Sequence, residues 1–524
     1  MLLHDWLTRT ASGDGEREAL VCGARRWSYA DIDGGSDGLS GALCAAGLRR
    51  GDRVAVYMDN GAEAVIAIYA VLKAGGVVVP VNPLTKSGKL AFIMRDAEVF
   101  ALITDGHLHG TYEAALAEYR PPFTIVRGAR SEDAAGGHAD FWQVSLSGHK
   151  PRVQVIDQDL AALIYTSGST GEPKGVMLSH LNMVSAATSV SEYLGLCAED
   201  RIFCCLPLAF DYGLYQVLMA FRVGACVVLE RSFAFPAAAL SMMARERVTV
   251  FPGVPTMFSI LLGMEGLVMD QDLRSLRMIT NTAAALPPHH VQRLRAILPG
   301  AILYSMYGLT ECKRVSYLPP EDVDRKPGSV GRGMPNQEVY LVGPDGDRLL
   351  PGSVGELVVR GSHVMRGYWR RPEETGKCLR PGPIPGEYVL HSGDIFHMDE
   401  EGYLYFIGRS DDIIKTRGEK VSPKEIENCL YAIDAVREAA VVGVDDEVLG
   451  QALHAFVVLG RDAETTERDI IRHCHARLES YMVPQHVHIV ESLPKTDTGK
   501  IKRTGLSVSA VRGIRVSRPA APSL

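Results

Sequence analysis

A glycine-rich segment, residues 165–175, constrains this chain more than any other part of its sequence. It reads Tyr-Thr-Ser-Gly-Ser-Thr-Gly-Glu-Pro-Lys-Gly and follows the apolar run 161–164, which predicts a β-strand. Glycine tolerates positive φ, so such a loop can turn several backbone N–H groups toward one anion. The Ser and Thr hydroxyls add donors, and Lys174 adds a positive charge. The segment therefore predicts a polyphosphate site at the end of a strand.

Two common phosphate loops do not fit this segment. The Walker A loop needs a lysine followed directly by Ser or Thr, whereas Gly175 follows Lys174 here. The dinucleotide-binding fingerprint makes no use of the hydroxyl side chains. A flexible surface turn is the structural alternative, and the combination of glycines, hydroxyls and a lysine in one loop disfavours it.

Length and composition indicate a globular protein of several domains. The chain has 524 residues, more than one ordinary hydrophobic core accommodates, so two or more domains are expected. A net charge of −7 disfavours nonspecific binding to nucleic acid. The ten cysteines are scattered without Cys-x-x-Cys spacing, which predicts free thiols in a reducing, cytoplasmic compartment and no zinc site.

The apolar segments of the chain do not predict a signal peptide or a membrane span. The N-terminus lacks a basic region followed by an apolar core, so no signal peptide is predicted. The most apolar stretch, residues 64–81, is interrupted by Lys73, Gly75, Gly76 and Pro80. It predicts a buried helix followed by a strand, rather than an integral membrane segment.

Short apolar runs alternate with helical periodicity over most of the chain. Strands are predicted at residues 53–58, 77–79, 101–104, 225–229, 248–251, 278–280 and 302–304. This alternation is typical of layered α/β sheets with largely parallel strands. After about residue 331, strands at 339–342, 355–360 and 402–407 lie between Gly, Pro and Asp turns and predict a small antiparallel unit. A βαβ-like tail follows, so the predicted fold is a large N-terminal α/β domain with a small α+β C-terminal domain.

Three further segments carry side chains suited to a nucleotide. In Tyr307-Gly308-Leu309-Thr310-Glu311, an aromatic at a strand end can stack on a purine, Thr310 can donate to a phosphate, and Glu311 can hold Mg²⁺. The small residues 281–287 allow a ligand to approach the backbone, although a helix N-terminus capped by Thr282 is an equal alternative. Asp394 can accept from both ribose hydroxyls, although it is also typical of a turn.

These motifs resemble those of the adenylate-forming enzymes, which include acyl-CoA synthetases, the adenylation domains of nonribosomal peptide synthetases, and luciferases. The resemblance runs from about residue 27 to residue 503. It implies a nucleotide site in which the aromatic stacks on adenine, the threonine contacts the α-phosphate and the glutamate binds Mg²⁺. The residues that match this site are Thr166, Ser167, Gly168, Ser169, Thr170, Gly171, Lys174, Ala283, Ala284, Tyr307, Asp394 and Arg409.

The same resemblance implies the catalytic and moving parts. Lys500 matches the family's catalytic lysine, which acts with Thr310 and Glu311 and stabilises charge on the α-phosphate. Asp411 matches the hinge about which the C-terminal domain turns, and Gly418 with Glu419 matches the hairpin that enters for thioester formation. The implied domains are residues 1–408, a hinge at 409–411, and a mobile C-terminal domain at 412–524.

The implied reaction begins with ATP- and Mg²⁺-dependent activation of a carboxylic acid to an acyl-AMP. Thioester formation follows on CoA or on the phosphopantetheine of a separate carrier protein, since no carrier-domain serine motif follows Lys500. A noncatalytic nucleotide-binding paralogue and a luciferase-like oxidase are the alternatives from other classes. The presence of Lys174, Glu311, Asp394 and Lys500 disfavours the first, and no feature of the sequence requires the second.

The acyl group is the part on which the sequence leaves alternatives open. Phe210-Asp211 resembles amino-acid-activating domains, in which the Asp binds the substrate ammonium, and the other reading of Asp211 is a cap for a helix that begins at Tyr212. Arg314 either binds a second carboxylate or pairs with Asp211. A fatty- or aryl-CoA ligase with no ammonium recognition is the alternative function. The residues predicted to contact the acid are Phe210, Asp211, Tyr215, Asn281 and Arg314.

Overall fold

The structure is a computed structural model. It describes residues 1–128, 137–147, 149–167, 173–282, 286–409, 414–416, 419–446, 449–460, 463–478, 480–495, 501–503 and 506. The helices are α1 (Leu3–Gly13), α2 (Tyr29–Ala45), α3 (Ala62–Lys73), α4 (Ser87–Asp96), α5 (His109–Glu118), α6 (Phe141–Ser147), α7 (His180–Tyr193), α8 (Asp211–Val223), α9 (Pro236–Arg245), α10 (Pro255–Leu262), α11 (Glu265–Met269), α12 (Pro288–Ile297), α13 (Pro372–Cys378), α14 (Pro423–Tyr431) and α15 (Glu467–His475).

The strands fall into five sheets. They are β1 (Glu18–Cys22), β2 (Arg25–Ser28), β3 (Arg53–Tyr57), β4 (Val77–Val81), β5 (Val99–Asp105), β6 (Phe123–Arg127), β7 (Ala139–Asp140), β8 (Leu160–Ser167), β9 (Pro173–Ser179), β10 (Arg201–Cys204), β11 (Cys226–Leu229), β12 (Val250–Gly253), β13 (Met278–Asn281), β14 (Ile302–Tyr307), β15 (Ser316–Leu318), β16 (Arg332–Gly333), β17 (Gln337–Val342), β18 (Val354–Gly361), β19 (Leu379–Pro381), β20 (Tyr388–Met398), β21 (Leu404–Arg409), β22 (Ile414–Thr416), β23 (Glu419–Val421), β24 (Val436–Asp446), β25 (Gly450–Leu459) and β26 (His486–Ile489).

Two large sheets of mainly parallel strands form the N-terminal part. The first has the order β7-β6-β5-β3-β4-β8-β9, and only its last pair, β8 with β9, is antiparallel. The second has the order β16-β15-β14-β13-β12-β10-β11-β1-β2. In it the central strands are parallel, so Gly253, Asn281 and Ser305 lie side by side at the carboxyl ends of β12, β13 and β14. Ligands of open α/β sheets bind at such an edge.

The apolar stretch at residues 64–81 behaves as its sequence predicts. Every residue of α3 is buried, and Gly75, with φ of +71°, follows the end of the helix before β4 begins. The strand is longer than expected, because Pro80 and Val81 continue it and pair with Val56 and Tyr57. Within the described ranges, no helix is long and apolar enough to cross a membrane.

The smaller units also match the predicted fold class. Strands β17, β18, β20, β19 and β21 form the antiparallel sheet expected after residue 331. Beyond it, α14 and α15 pack on the sheet β24-β25-β26 around a separate core that includes Ile426, Leu453 and Ile470. Strands β25 and β26 are parallel with α15 between them, which is the predicted βαβ arrangement, while β24 and β25 form a long antiparallel hairpin that was not predicted.

Several histidines are buried in this fold in the neutral state. His180 accepts a hydrogen bond from the backbone N–H of Leu3, at 3.3 Å. His363 is 1% exposed, and neither ring nitrogen has a hydrogen-bond partner among the described residues. Burial lowers the pKa of His4 and His363 from 6.5 to about 4, and that of His180 to about 3. Protonation of these rings therefore opposes folding.

We expect the free energy of unfolding to fall as the pH is lowered from 7 to 5. Between about pH 4 and pH 6.5 the unfolded chain binds protons at these histidines and the folded chain does not, so acid favours the unfolded state. Each fully shifted histidine adds a slope of up to about 1.4 kcal/mol per pH unit. Urea unfolding at pH 7 and at pH 5 measures the difference.

Two variants locate the source of this slope. His363→Gln removes one buried titrating ring and should flatten the pH dependence. His475→Gln alters an exposed ring on α15 and should leave it unchanged. Equal stability at the two pH values, or higher stability at pH 5, would contradict the expectation.

Candidate active site

The predicted phosphate loop joins two antiparallel strands. Thr166 pairs with Lys174 and Ser167 with Pro173, so β8 leads into the loop and β9 leaves it. The hydroxyl of Tyr165 donates to Asp96 Oδ2 at 2.6 Å and ties the end of β8 to α4. The predicted strand before the loop is confirmed, and the strand after it is an addition. Residues Gly168, Ser169, Thr170 and Gly171 lie outside the described residues.

A distant segment, residues 365–369, lies along β9 and reaches the same place. The N–H of Arg366 donates to the Met177 carbonyl and that of Met177 to the Gly367 carbonyl, both at 2.9 Å. The N–H of Trp369 donates to the Gly175 carbonyl at 2.7 Å. These bonds hold Tyr368 beside the lysine of the phosphate loop, so that Lys174 Nζ lies 5.6 Å from the centre of its ring.

Tyr368 connects that lysine to Glu311. Its hydroxyl donates to Glu311 Oε1 at 2.7 Å, and the N–H of Met365 donates to the Glu311 carbonyl at 2.7 Å. Burial and the neighbouring Glu311 raise the pKa of Tyr368, so the phenol keeps its proton and acts as the donor. The structure thus brings Lys174 and Glu311 together. The sequence predicted both residues for one site but indicated no contact that connects them.

The donor set fits a magnesium ion shared with phosphates. Mg²⁺ takes one or two protein carboxylates together with phosphate and water oxygens, and Glu311 offers a half-buried carboxylate beside a cation. Another group of possible ligands, Asp59, Asp105 and His107, lies elsewhere in the described part of the chain. Its acids already pair with Arg231 and Arg127, which favours an ion-pair network there.

The residues predicted for the nucleoside lie at the end of β14, within β20 and at the end of β21. Tyr307 donates a hydrogen bond to Asp394 Oδ2, and Arg409 Nε lies 3.7 Å from Asp394 Oδ1. The Tyr307 ring contacts Phe396 and Phe406, with centroids 4.9 Å and 6.3 Å away. Burial and the Asp394 charge raise the pKa of Tyr307, which keeps its hydroxyl a donor. The three residues predicted for adenine and ribose therefore lie together.

Asn281 and Thr282 complete this edge from β13. Asn281 is fully buried and pairs with Gly253 and Ser305 on the neighbouring strands. Thr282 accepts a hydrogen bond from Arg314 Nη1. The following helix, α12, begins at Pro288 with Pro287 as its N-cap residue, so Thr282 is not its cap. Ala283 and Ala284 lie outside the described residues.

Two sequence readings of Asp211 are wrong. Helix α8 begins at Asp211 itself, with Phe210 as its N-cap residue and no side-chain capping bond, so Asp211 does not cap a helix beginning at Tyr212. Its ion-pair partner is not Arg314 but Lys313, whose Nζ lies 3.2 Å from Asp211 Oδ2 and 3.1 Å from the Asp211 carbonyl oxygen. Because Lys313 already supplies a cation, the carboxylate does not require a substrate ammonium.

Lys313 occupies an unusual position for a lysine. Its ammonium is buried against the rings of Tyr212 and Tyr215, 5.1 Å and 4.5 Å from their centres. Burial lowers the pKa of Lys313 to about 8, with Asp211 raising it and Arg314 lowering it. Its φ of +64° is left-handed. The backbone here folds tightly against Gly308, where a Cβ would lie 2.2 Å from the Lys313 carbonyl oxygen.

Sequence reasoning missed Lys313 and Tyr368. Two consecutive cations, Lys313 and Arg314, follow the Tyr307–Glu311 motif closely and were a signal for the first. Lysine and arginine are rarely buried unless they are paired. The aromatic pair after Gly367 was a weaker signal for the second. Neither partner is close in sequence, so no local pattern reveals the contacts with Asp211 and Glu311.

The C-terminal site residues are only partly described. Strands β22 and β23 are antiparallel, with Thr416 paired to Glu419, so a hairpin flanks Gly418 as expected. Asp411, Gly418 and Lys500 lie outside the described residues, and their assigned roles stay predictions. Arg409 ends β21, and Thr310 lies half-buried after β14 beside Glu311.

Comparison with known proteins identifies the family of this chain. The family model of AMP-binding enzymes matches residues 7–369, and that of the AMP-binding enzyme C-terminal domain matches residues 425–500. A long-chain-fatty-acid–CoA ligase of Bacillus subtilis (strain 168) is 31% identical over 535 aligned positions, covering 96% of this chain and 94% of that protein. A feruloyl-CoA synthase of Amycolatopsis sp is 34% identical over 502 positions, covering 95% and 97%.

A solved structure shows the same fold. The anthranilate CoA ligase AuaEII in complex with anthranoyl-AMP superposes with a TM-score of 0.89 at 28% identity, and the match covers 97% of each chain. Family models, relatives and fold agree with one another. This chain belongs to the family of AMP-binding enzymes and is an adenylate-forming ligase.

Proposed function

We propose that this protein activates a carboxylic acid with MgATP and transfers the acyl group to CoA, releasing AMP and pyrophosphate. The observation that carries the proposal is the meeting of a phosphate end and a nucleoside end in one site. Lys174, Tyr368 and Glu311 form the first, and Tyr307 with Asp394 forms the second. Tyr307 and Glu311 stand four positions apart in one motif, so the two ends share a single strand terminus.

The first half-reaction uses position and charge more than covalent chemistry. A carboxylate oxygen of the acid forms a bond to the α-phosphorus, the bond to the bridging oxygen of the pyrophosphate breaks, and pyrophosphate leaves with the electron pair. Lys174 offsets charge on the phosphates, Thr310 donates to the α-phosphate, and Asp394 holds the ribose. Magnesium, held by Glu311, would neutralise phosphate charge as the leaving group departs.

The second half-reaction transfers the acyl group to sulfur. The thiol of CoA gives up its proton, its sulfur bonds to the acyl carbon, and AMP leaves with the former carboxylate oxygen. Two different sets of groups must meet one carbonyl in turn, which supports a hinge at Asp411 that exchanges Lys500 for the hairpin at Gly418 and Glu419. The proposed domains are residues 1–408 and 412–524, joined at 409–411.

CoA is favoured over a carrier protein because the relatives named above are CoA ligases. Phosphopantetheine on a separate carrier presents the same thiol, so it is the second candidate acceptor. All ten cysteines carry free thiols, which supports a reducing compartment such as the cytoplasm.

Pyrophosphate release with a panel of carboxylic acids, with and without CoA, tests the function. We expect MgATP-dependent release with at least one acid, and formation of the acyl-CoA only when CoA is present. Release that needs no added acid, or AMP formation without any thioester in the presence of CoA, would count against a ligase.

Tyr368→Phe should lower kcat and raise the magnesium concentration needed for half-maximal activity. The change removes the hydroxyl that orients Glu311 and keeps the ring near Lys174. A hydrogen bond to a charged group contributes about 1.5–3 kcal/mol, so a fall of roughly 10- to 100-fold is expected. Initial rates of pyrophosphate release across a magnesium titration measure both effects.

Tyr388→Phe is the matched control, because Tyr388 is 60% exposed on β20. Its kinetics should equal those of the wild type. A Tyr368→Phe protein with unchanged magnesium dependence would show that Tyr368 does not act through Glu311.

Lys500→Ala should abolish acyl-AMP formation and spare thioester formation from a preformed acyl-AMP. The reason is that Lys500 is assigned to charge on the α-phosphate, which develops only in the first half-reaction. The two half-reactions are measured separately, by pyrophosphate exchange and by acyl-CoA formation from synthetic acyl-AMP. Lys502→Ala, at an exposed position two residues along, is the control and should retain both. Equal loss of both half-reactions in Lys500→Ala would refute the two-state scheme.

A further inference from the structure

Among the residues that the structure describes, Arg314 is a buried cation without an acidic partner. Its side chain is 2% exposed, and it ranks among the largest fully buried side chains of the protein. Its contacts include a hydrogen bond from Nη1 to the Thr282 hydroxyl, a polar contact with the hydroxyl of Tyr193, and the ring of Tyr212, whose centre lies 5.6 Å from Cζ. In the ranges that the structure describes, Nε has no acceptor, and no carboxylate lies within 4.0 Å of the guanidinium.

The nearby acid, Asp211, is already used. Lys313 binds its carboxylate at 3.2 Å and its carbonyl oxygen at 3.1 Å. Both Lys313 and Arg314 lie against the ring of Tyr212, whose hydroxyl is fixed by a bond to the Thr280 carbonyl at 3.0 Å. This cluster of Asp211, Tyr212, Lys313 and Arg314 therefore holds two cations and one carboxylate, and Lys313 alone is paired with that carboxylate, which leaves an excess positive charge.

Burying such a charge is unfavourable unless an anion compensates it. An arginine cannot lose its proton at accessible pH, so it cannot escape the desolvation cost as a lysine can. A neutral hydroxyl and a tyrosine ring offset only part of that cost. The guanidinium fork matches a carboxylate, which can accept two parallel hydrogen bonds from it.

Arg314 lies next to the Tyr307–Glu311 motif in the fold as well as in the sequence. Arg314 follows Glu311 by three residues, and the N–H of Val315 donates to the Tyr307 carbonyl at 2.9 Å. Its partner Thr282 directly follows β13, whose end lies between those of β12 and β14. The phosphates of a nucleotide are assigned to Lys174 and to the magnesium proposed at Glu311, so they are not the anion that Arg314 lacks. The cluster therefore adjoins the strand ends that carry the proposed nucleotide site, where the acid must also bind to react.

We propose that the acid activated by this enzyme carries a second carboxylate, remote from the reacting one, and that Arg314 binds it. The proposal rests on the proposed ligase function and adds the substrate class to it. Lys313 has a supporting role, since it neutralises Asp211 and so prevents that carboxylate from competing for Arg314. The amino-acid substrate considered from the sequence is replaced by a dicarboxylic acid.

Matched pairs of acids test the charge requirement on the wild-type enzyme. The pairs are hexanoate with adipate, benzoate with isophthalate, and cinnamate with 4-carboxycinnamate. We expect the dicarboxylic member of at least one pair to have a kcat/KM for pyrophosphate release at least tenfold higher than its partner. If the monocarboxylic acid has an equal or higher kcat/KM in all three pairs, the proposal is wrong and the ligase function is unaffected.

Arg314→Gln tests the residue. It should lower kcat/KM for the preferred dicarboxylic acid by 10- to 100-fold, mainly through KM, and change that of the matched monocarboxylic acid by less than threefold. Arg314→Lys keeps the charge without the fork and should lie between the two. An equal loss for both acids would mean that Arg314 binds the reacting carboxylate or holds the fold, and would overturn the proposal.

Control experiments distinguish a folding defect, a failure of the ligase function and a failure of the charge requirement. Arg332→Gln, at an exposed position on β16 of the same sheet, should match the wild type with both acids. If Arg314→Gln does not fold, the wild-type pairs alone decide. If no acid is turned over, the ligase function fails, and calorimetry with each pair and a nonhydrolysable ATP analogue decides the charge question. Weaker or equal binding of the dicarboxylic member would then overturn the proposal as well.

Discussion

The short backbone contact between residues 365–369 and β9 is the constraint on which the site depends. It joins the strand after the phosphate loop to a segment that also hydrogen-bonds the Glu311 carbonyl. Lys174 lies on β9 and Glu311 follows β14, and these strands belong to different sheets, so nothing else among the contacts described above brings the two residues together. The phenol of Tyr368 completes the link with a bond that backbone geometry alone would not provide.

Much of the fold and part of the site follow from local patterns. Alternating strands and helices are set by periodicities of two and 3.6 residues, which the sequence displays directly, and the predicted strands lie within a few residues of the observed ones. The Tyr307–Glu311 motif and Asp394 could be assigned because each motif carries its own chemistry. The partner of Asp211 could not, because a pairing across 102 positions depends on how β14 and α8 pack. The start of α8 was missed for a related reason, since Asp is common both at the N-cap and in the first turn.

The bond between Tyr307 and Asp394 has a further meaning for nucleotide binding. The two groups expected to receive adenine and ribose are held against each other before any ligand arrives. A ribose hydroxyl must therefore share or replace the phenol as a donor to Asp394. The ligand exchanges one hydrogen bond for another, so Asp394 contributes more to the placement of the nucleoside than to its net affinity.

Both the backbone conformation and the burial of Lys313 are energetically unfavourable. Its backbone is left-handed, a conformation that suits glycine and costs other residues about 1–3 kcal/mol, and its ammonium is withdrawn from water. A glycine at this position would relax the backbone and remove the buried charge together. It would also release Asp211 to pair with the neighbouring guanidinium. If Arg314 binds the acid as proposed, a substitution at position 313 that stabilises the protein would also weaken its discrimination between acids.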